Sequence, residues 1–246
     1  MPGSRHSRRD FALAGAAAAA SGPSAFAVTK TNQLMNKHVV LLGDSVFANA
    51  AYVGGGPDVI TQLRQRLPST WRATLLAVDG SVLAGIPGQL GRVPADASHL
   101  LVSIGGNDAL GYSAVLAAPS RSVADSLEQL ADIRERFQRE YRGMLHILLP
   151  KGLPAAVCTI YDPRYPEPVQ RRVGTAALCI INDSIIREAA IAGVPILDLR
   201  AVCGEDADFA NPIEPSVQGG SKIAAAITSA VTQPDFGLSR CVIFTR

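Results

Sequence analysis

The segment HVVLLGDSV, residues 38–46, joins a short run of aliphatic side chains to the tripeptide Gly43-Asp44-Ser45. A continuous apolar run of this length is typical of a strand in a parallel sheet that is covered on both faces. Glycine allows the chain to turn sharply as it leaves such a strand. We therefore predict a first strand over residues 38–42 that leaves Ser45 exposed at the rim of the sheet. Taken alone, the tripeptide is equally consistent with a tight turn in which Asp44 or Ser45 caps the next helix.

The rest of the chain alternates between strand-like and helix-like patterns. Similar aliphatic and β-branched runs predict further strands over residues 73–78, 100–104, 155–160 and 194–199. Helical patterns lie between and after them, over residues 57–66, 123–149, 169–192 and 216–231. Because parallel strands need crossover helices, this alternation predicts an α/β fold with a three-layer, flavodoxin-like, doubly wound sheet of about five parallel strands. Ligands bind such sheets at the carboxyl ends of the strands, so the site is expected there.

Residues 1–27 have the composition of an export signal. The pair Arg8 and Arg9 precedes an alanine-rich apolar run, and residues 25–27 have the small-x-small pattern of a cleavage site. We predict a twin-arginine signal peptide, export to the periplasm or the exterior, and a single domain over residues 28–246. The alternative is a disordered or anchoring N-terminal helix, although the apolar run is roughly half as long as a spanning helix. Elsewhere no segment is long and apolar enough to predict a stable membrane span.

Composition and charge disfavour several classes of function. The chain has 23 Lys and Arg residues and 21 Asp and Glu residues, and 20 of each sign remain without the signal. A neutral body lacks the basic surface that binds nucleic acid, so no nucleic-acid partner is expected. The motifs G-x-x-x-x-G-K and G-x-G-x-x-G are absent, which disfavours a flavodoxin-like phosphate or nucleotide binder. We expect a monomer without an organic cofactor.

Four widely spaced cysteines include no C-x-x-C pair. This spacing disfavours a zinc site, and no metal is expected. Cys158 and Cys179 lie in apolar stretches and are predicted to be buried thiols. Export permits disulfides, but the spacing of Cys158, Cys179, Cys203 and Cys241 does not specify a pairing.

Polar or glycine residues follow three successive predicted strands. Ser45 follows the first strand, Gly80 follows the second, and the tetrapeptide Gly-Gly-Asn-Asp, residues 105–108, follows the third. Each group alone has an ordinary explanation as a turn or a helix cap. Together, a serine, a glycine whose N–H can approach a ligand, and an amide donor are the material for a nucleophile and an oxyanion hole.

These blocks resemble the first three signature blocks of the SGNH/GDSL esterases and lipases, and the resemblance extends from the first strand to the last helix. It implies the SGNH hydrolase fold, with Ser45 as the nucleophile. It also implies an oxyanion hole formed by the Ser45 N–H, the Gly80 N–H and the Asn107 side chain. Asp44 and Asp108 belong to the same blocks and are secondary candidates for the site.

The fourth block of the family departs from its pattern in this sequence. Family members place Asp-x-x-His before the last helix, where the histidine activates the serine and the aspartate orients the histidine. Here Asn211 stands in the place of the aspartate and Glu214 in the place of the histidine. An exposed glutamate, with a pKa of about 4.3, is a poor base at neutral pH, so a Ser45–Glu214 pair requires burial that raises this pKa. The alternative is that Glu214 is a carboxylate at a helix N-terminus, and Asp208 is a further orienting or capping candidate.

The four histidines are not expected to replace the missing base. His6 lies in the predicted signal, and His38 and His99 lie at the end of their strands opposite the predicted site. His146 lies within the long helical pattern. We predict that each is a surface or packing residue.

Two functions fit these observations. The first is a serine ester hydrolase that cleaves small acyl or acetyl esters with an atypical base. The alternative is an exported, non-catalytic protein that binds an acylated or glycan ligand in the same cleft. Residues 48–56 and 110–122 are expected to shape the pocket, and Tyr161-Asp162-Pro163 either lines it or forms a plain turn. The sequence does not specify the substrate.

Overall fold

The computed structural model describes residues 36–236 and 242–245. The predicted signal peptide, residues 1–27, lies outside this part of the chain. The strands of the described residues are β1 (His38–Gly43), β2 (Arg72–Leu75), β3 (His99–Ser103), β4 (Ala155–Cys158), β5 (Ile196–Leu197) and β6 (Ile243–Phe244). They form one sheet in the order β2-β1-β3-β4-β5-β6, and every neighbouring pair is parallel.

Helices make the connections between these parallel strands. They are α1 (Val59–Arg66), α2 (Ile86–Leu90), α3 (Gly106–Gly111), α4 (Val123–Leu148), α5 (Pro168–Ile191), α6 (Leu199–Val202) and α7 (Val217–Val231). The longer ones begin at side chains that accept hydrogen bonds from N–H groups of the first turn, namely Asp58, Ser122, Glu167 and Ser216. Among the described helices none is long and apolar enough to cross a membrane.

The central strand β1 shows how the three layers arise. All six of its residues are buried, and alternate side chains point to opposite faces of the sheet. Val39 and Leu41 belong to a core shared with α1 and α7. Val40 and Leu42 belong to a second core shared with α2, α4 and α5. The sheet is therefore covered by helices on both faces, which confirms the predicted α/β, three-layer fold.

The sheet differs from the prediction in the number and length of its strands. It has six strands rather than about five, because β6 is two residues long and too short to give a pattern. The second strand ends at Leu75 rather than at residue 78. The N–H groups of Leu76 and Ala77 both donate to the Leu41 carbonyl, which interrupts the regular ladder at this point.

The last predicted strand, over residues 194–199, is reduced to the two residues of β5. Pro195 has no N–H to donate, and the Asp198 side chain already accepts from the Arg200 N–H at the start of α6. The short helices α2, α3 and α6 were not predicted, because four to six residues are too few to establish a helical period.

The cysteine predictions were half right. Cys158 is buried in β4, whereas Cys179 is exposed on α5, so the prediction that Cys179 is buried was wrong. The reason is the helical period: the neighbouring Leu178 and Ile181 face inward, and Cys179 takes the intervening outer position. Cys203 is buried, and these three described cysteines are free thiols. Cys241 lies outside the described residues.

Candidate active site

The turn that carries Ser45 is tightly held. Gly43 has φ of 128°, and a Cβ at this position would lie 1.7 Å from the Ser103 carbonyl oxygen, so only glycine fits. The Gln89 side chain binds Gly43 at both ends: its Oε1 accepts from the Gly43 N–H at 2.7 Å, and its Nε2 donates to the Gly43 carbonyl at 2.8 Å. The Asp44 N–H donates to the Ser103 carbonyl at 3.0 Å. Ser45 is therefore presented by a rigid backbone.

Ser45 is buried rather than exposed, which corrects the sequence prediction. Only 6% of the residue is accessible to solvent, although it lines a cavity at the carboxyl end of the sheet. The segment before α7 covers it, because Ile213 and Glu214 line the same cavity. Sequence gave no sign of this cover, since the covering residues are far along the chain.

Glu214 is the hydrogen-bond partner of the serine. The Ser45 Oγ donates to Glu214 Oε1 at 3.0 Å, and Glu214 is itself 6% exposed. Burial raises the pKa of Glu214 to about 7, the hydrogen bond from Ser45 opposes this rise, and the charge of Asp79 adds to it. The second carboxylate oxygen, Oε2, is buried and has no hydrogen-bond partner among the described residues. The pair therefore has the geometry and the acidity that a nucleophile and its base require.

The backbone around Glu214 is fixed from two sides. The Asn211 Oδ1 accepts from the N–H groups of Ile213 and Glu214, both at 3.0 Å. The Tyr161 hydroxyl donates to the Ile213 carbonyl at 2.6 Å. Ser216 is the N-cap of α7, so the Glu214 carboxylate does not take the helix-terminal role that was its alternative. Asn211 thus supports the loop rather than contacting the carboxylate.

Asn107 lines the same cavity as Ser45 and Glu214. It is near the start of α3, after Gly105, whose φ of 116° turns the chain out of β3. The Asn107 Nδ2 donates to the Ser81 carbonyl at 3.0 Å, which ties this residue to the loop after β2. An amide nitrogen carries two hydrogens, so one remains for a ligand. The structure thus brings Ser45, Asn107 and Glu214 together at one cavity.

Gly80 is placed differently. It lies on the exposed loop after β2 with φ of 75°, and no atom lies within 4 Å of where its Cβ would be. It is not one of the residues that line the cavity, although its neighbour Ser81 is bonded to Asn107. An oxyanion role for Gly80 stays a prediction.

The two aspartates of the signature blocks have backbone partners. The Asp44 Oδ1 accepts from the Val46 N–H at 3.1 Å, and burial raises the pKa of Asp44 to about 8. The Asp108 carboxylate accepts from the Leu83 N–H, with 3.1 Å to Oδ2, and burial also raises its pKa. Asp44 lines the cavity, whereas Asp108 braces the segment that leads into α2.

Asp208 is fully buried but separate from the serine. Burial alone would raise its pKa, yet the ion pair with Lys222, at 2.8 Å, and hydrogen bonds from Glu205 and Gln218 bring the pKa below its ordinary value. None of these partners is Ser45 or Glu214. Asp208 therefore holds the segment before α7 to that helix and does not contact the Ser45–Glu214 pair.

The described histidines are remote from Ser45. His38 and His99 are the first residues of β1 and β3, at the opposite edge of the sheet. The His38 ring binds Asp96 and Thr74, and His99 stacks between Trp71 and Phe236. His146 is exposed on α4, and His6 lies outside the described residues. These positions agree with the predicted packing and surface roles.

The sequence matches a known family over most of its length. The profile of the GDSL-like lipase/acylhydrolase family matches residues 41–219, from β1 into α7. The chain belongs to the GDSL-like lipase/acylhydrolase family. Membership of this family supports ester hydrolysis in general terms. No curated protein sequence matches the chain.

Solved structures share the fold of this GDSL-like chain. An extracellular lipase from Streptomyces rimosus aligns with a TM-score of 0.58 and 17% identity, covering 79% of this chain and 99% of that one. The acetyl xylan esterase AlAXEase aligns with a TM-score of 0.59 and 15% identity, covering 79% and 99%. The esterase EstA from Pseudoalteromonas sp., inhibited by monoethylphosphonate, aligns with a TM-score of 0.55 and 13% identity, covering 80% and 100%. At these identities the likeness is one of fold.

Two parts of this GDSL-like site were not found from the sequence. Gln89, which holds the serine turn, gives no signal other than a polar residue in an apolar segment. The cavity walls supplied by α4 and α5 were also missed, because the charged outer face of α4 dominates its sequence pattern. Of the segments that were expected to shape the pocket, residues 110–122 do so in part, and residues 48–56 do not. The residues that line the cavity are Leu110, Tyr112, Ser113, Val115, Leu116 and Ala117, together with Tyr161 and Pro163.

Proposed function

We propose that this chain is a serine ester hydrolase in which Ser45 is the nucleophile and Glu214 is its general base. The observation that carries the proposal is the 3.0 Å hydrogen bond from the Ser45 Oγ to Glu214 Oε1 inside a cavity. A serine hydroxyl needs a base with a pKa near the working pH. Burial raises the pKa of Glu214 to about 7 and so supplies such a base without an imidazole.

The acylation step follows from this pair. As the Ser45 Oγ attacks the ester carbonyl, Glu214 accepts the hydroxyl proton, and the carbonyl oxygen becomes an oxyanion. The tetrahedral intermediate then collapses, the bond to the alcohol breaks, and protonated Glu214 donates its proton to the leaving oxygen. Water then attacks the carbonyl of the acyl-serine while Glu214 accepts a proton from it. The bond between the acyl carbon and the Ser45 Oγ breaks, the carboxylic acid is released, and Glu214 returns the proton to the Ser45 Oγ.

The oxyanion requires donors that are in place before the reaction. We assign this role to the Ser45 N–H, the Gly80 N–H and the Asn107 amide. Asn107 lines the same cavity as Ser45 and has a second amide hydrogen beyond the one bonded to Ser81. Removing one such donor costs about 10²–10³-fold in kcat.

The decisive experiment is covalent labelling combined with turnover. The protein is treated with a fluorophosphonate and assayed on p-nitrophenyl esters, beside Ser45→Ala. We expect labelling at Ser45, hydrolysis that is lost in Ser45→Ala, and a kcat/KM that rises with pH to a plateau above about 7, because Glu214 must be ionised to act as a base. Absence of labelling together with hydrolysis that does not depend on Ser45 would overturn the proposal.

The non-catalytic alternative has its own outcome in the same experiment. Its support is the Glu214 Oε2, which has no hydrogen-bond partner among the described residues, so none of their side chains orients this carboxylate as an aspartate orients a histidine. A binding protein would be stabilised against heat by an ester analogue without turning esters over. In that case activity would appear only when Glu214→His is combined with Asn211→Asp.

We also propose export through the twin-arginine signal of residues 1–27, and a monomeric mature protein. The support is the Arg8-Arg9 pair and the small-x-small pattern at residues 25–27. Expression with and without Arg8→Lys plus Arg9→Lys, followed by N-terminal sequencing, tests it. We expect a new terminus at Val28 that is lost with the double substitution.

A further inference from the structure

The cavity beside Ser45 is much larger than a small acyl group. Its volume is about 470 Å³, and its walls come from α3, the 3₁₀ turn Ser113–Ala117, α4, the loop after β4, and α5. Pockets that enclose whole drug-sized ligands have volumes of about 300–1,000 Å³. An acetyl group would leave most of this space empty.

The walls are apolar along the two long helices. Leu130 and Ile133 of α4 line one side, and Val173, Ala177 and Ile181 of α5 line another. Such a surface binds hydrocarbon by removing it from water, and it offers little to a sugar ring that needs hydrogen bonds.

The rim of the cavity is apolar as well. Leu110, Leu116, Val169 and Val173 line it, yet 39%, 47%, 62% and 40% of their surfaces remain exposed. Exposed apolar side chains that line one cavity are typical of a binding groove. The apolar lining thus continues from the serine to the outer surface.

The ionisable groups that line the cavity are all acidic. Asp44, Glu167 and Glu214 are the charged lining residues, and no Lys, Arg or His of the described chain lines it. The Glu167 carboxylate accepts from the Val169 and Gln170 N–H groups at the start of α5. An anionic chain end would meet acidic groups only, and a charge of either sign would lose its hydration against the apolar walls, so the occupant is uncharged.

We propose that this cavity binds the uncharged acyl chain of the ester and that the chain is of medium length, with octanoyl as the test case rather than acetyl. The proposal rests on the proposed function for the role of Ser45, but the cavity itself can be tested by binding alone. Each methylene group moved from water into an apolar site favours binding by up to about fourfold. Octanoyl has six more methylene groups than acetyl, and at about twofold for each, half of the full effect in free energy, octanoyl esters should exceed acetyl esters in kcat/KM by about 100-fold.

Two alanines of α5 provide a matched pair of variants. Ala177 lines the cavity, whereas its neighbour Ala176 is exposed and does not. Ala177→Phe should fill part of the cavity and so lower kcat/KM for p-nitrophenyl octanoate at least tenfold. The kcat/KM for p-nitrophenyl acetate, whose acyl group does not reach this position, should change little. Ala176→Phe should change neither. Equal losses on both esters, or an equal effect of the two variants, would overturn the proposal.

A binding measurement separates this proposal from the proposed function. Calorimetry with Ser45→Ala should show octanamide binding at least tenfold tighter than acetamide, and tighter than octanoate. Octanamide that binds no better than acetamide overturns the proposal whatever the turnover. If octanamide binds in this way but no ester is hydrolysed, the acyl site stands and the hydrolase function fails. If p-nitrophenyl acetate is hydrolysed faster than p-nitrophenyl octanoate, the hydrolase function stands and the acyl-site proposal is wrong.

Discussion

Asp208 and Glu214 are two buried carboxyl groups on the same segment, and their environments are opposite. Asp208 is paired with Lys222 at 2.8 Å and accepts further hydrogen bonds, so its pKa is lowered. Among the described residues the Glu214 carboxylate has no cationic partner, and the one hydrogen bond that it accepts comes from Ser45, so burial raises its pKa to about 7. The first carboxylate is stabilised as an anion, and the second is kept ready to accept a proton. Residue type and burial alone do not distinguish them; the partner does.

The largest expected effect comes from removing the base. Glu214→Gln keeps the shape of the side chain but cannot accept a proton, so we expect kcat/KM for an ester to fall by about 10³-fold. Fluorophosphonate labelling at Ser45 should slow in parallel. Ile213→Val, at an adjacent cavity position, is the control and should stay within a few-fold of the original. A fully active Glu214→Gln variant would remove Glu214 from the mechanism.

The next effect is on the pH dependence of the free energy of unfolding, to which Glu214 and Asp208 contribute with opposite signs. The raised pKa of Glu214 means that stability falls as pH rises from about 4.5 to about 7, by an amount on the order of 3 kcal/mol. Glu214→Gln should flatten this fall in urea titrations, apart from the part that Asp44 contributes up to about pH 8. Asp208 has a lowered pKa, so its contribution is present at neutral pH and is lost as pH falls. An unchanged profile in Glu214→Gln would contradict the raised pKa.

The ion pair gives a smaller effect on stability and none on chemistry. Asp208→Asn leaves Lys222 with Glu205 as its remaining acidic partner. We expect a loss of about 1–2 kcal/mol of unfolding free energy, because the buried amide loses the charge-assisted hydrogen bonds that the carboxylate accepts. The pH profile of kcat/KM should not move. Asp206→Asn is the control. Asp206 is exposed and pairs with Arg171, so losing this ion pair should lower the unfolding free energy by less than about 1 kcal/mol. A shifted pH profile in Asp208→Asn would couple this carboxylate to the base.

The smallest effect concerns the loop that carries Glu214. Asn211→Ala removes the acceptor for the N–H groups of Ile213 and Glu214, so we expect about 1 kcal/mol less stability and a kcat/KM lower by about tenfold. Asn211→Asp keeps the acceptor and should restore both. Thermal unfolding and ester kinetics measure the two quantities. If Asn211→Asp behaves like Asn211→Ala, the backbone role of Asn211 is wrong.

The fold was predictable because its signal is local. The aliphatic run that became β1, and the Gly-Asp-Ser turn after it, lie within nine residues of sequence. The polar end of β3, with Asn107, has the same local character. The carboxyl ends of parallel strands lie at one edge of the sheet, so the sequence alone predicts that Ser45 and Asn107 lie close together.

The character of the site was not predictable, because it depends on contacts between distant residues. Glu214 meets Ser45 across 169 positions of the chain, and its raised pKa comes from burial that no single segment encodes. The same holds for Cys179 and for the burial of Ser45, where packing decides the accessibility. The acyl cavity needs α4 and α5 side by side, which the helical patterns alone do not specify.

The Gln89 side chain makes the hydrogen bonds to Gly43 that a neighbouring strand would make. Its amide offers an acceptor and a donor side by side, as a peptide group does, and it meets the N–H and the carbonyl of Gly43 together. The carbonyl also accepts from the Val78 N–H, so both of its lone pairs are used. A glutamate of the same length would set an anionic oxygen against that carbonyl. The position of the serine turn thus depends on a residue of α2 that does not line the cavity, and therefore on how that helix packs against the sheet.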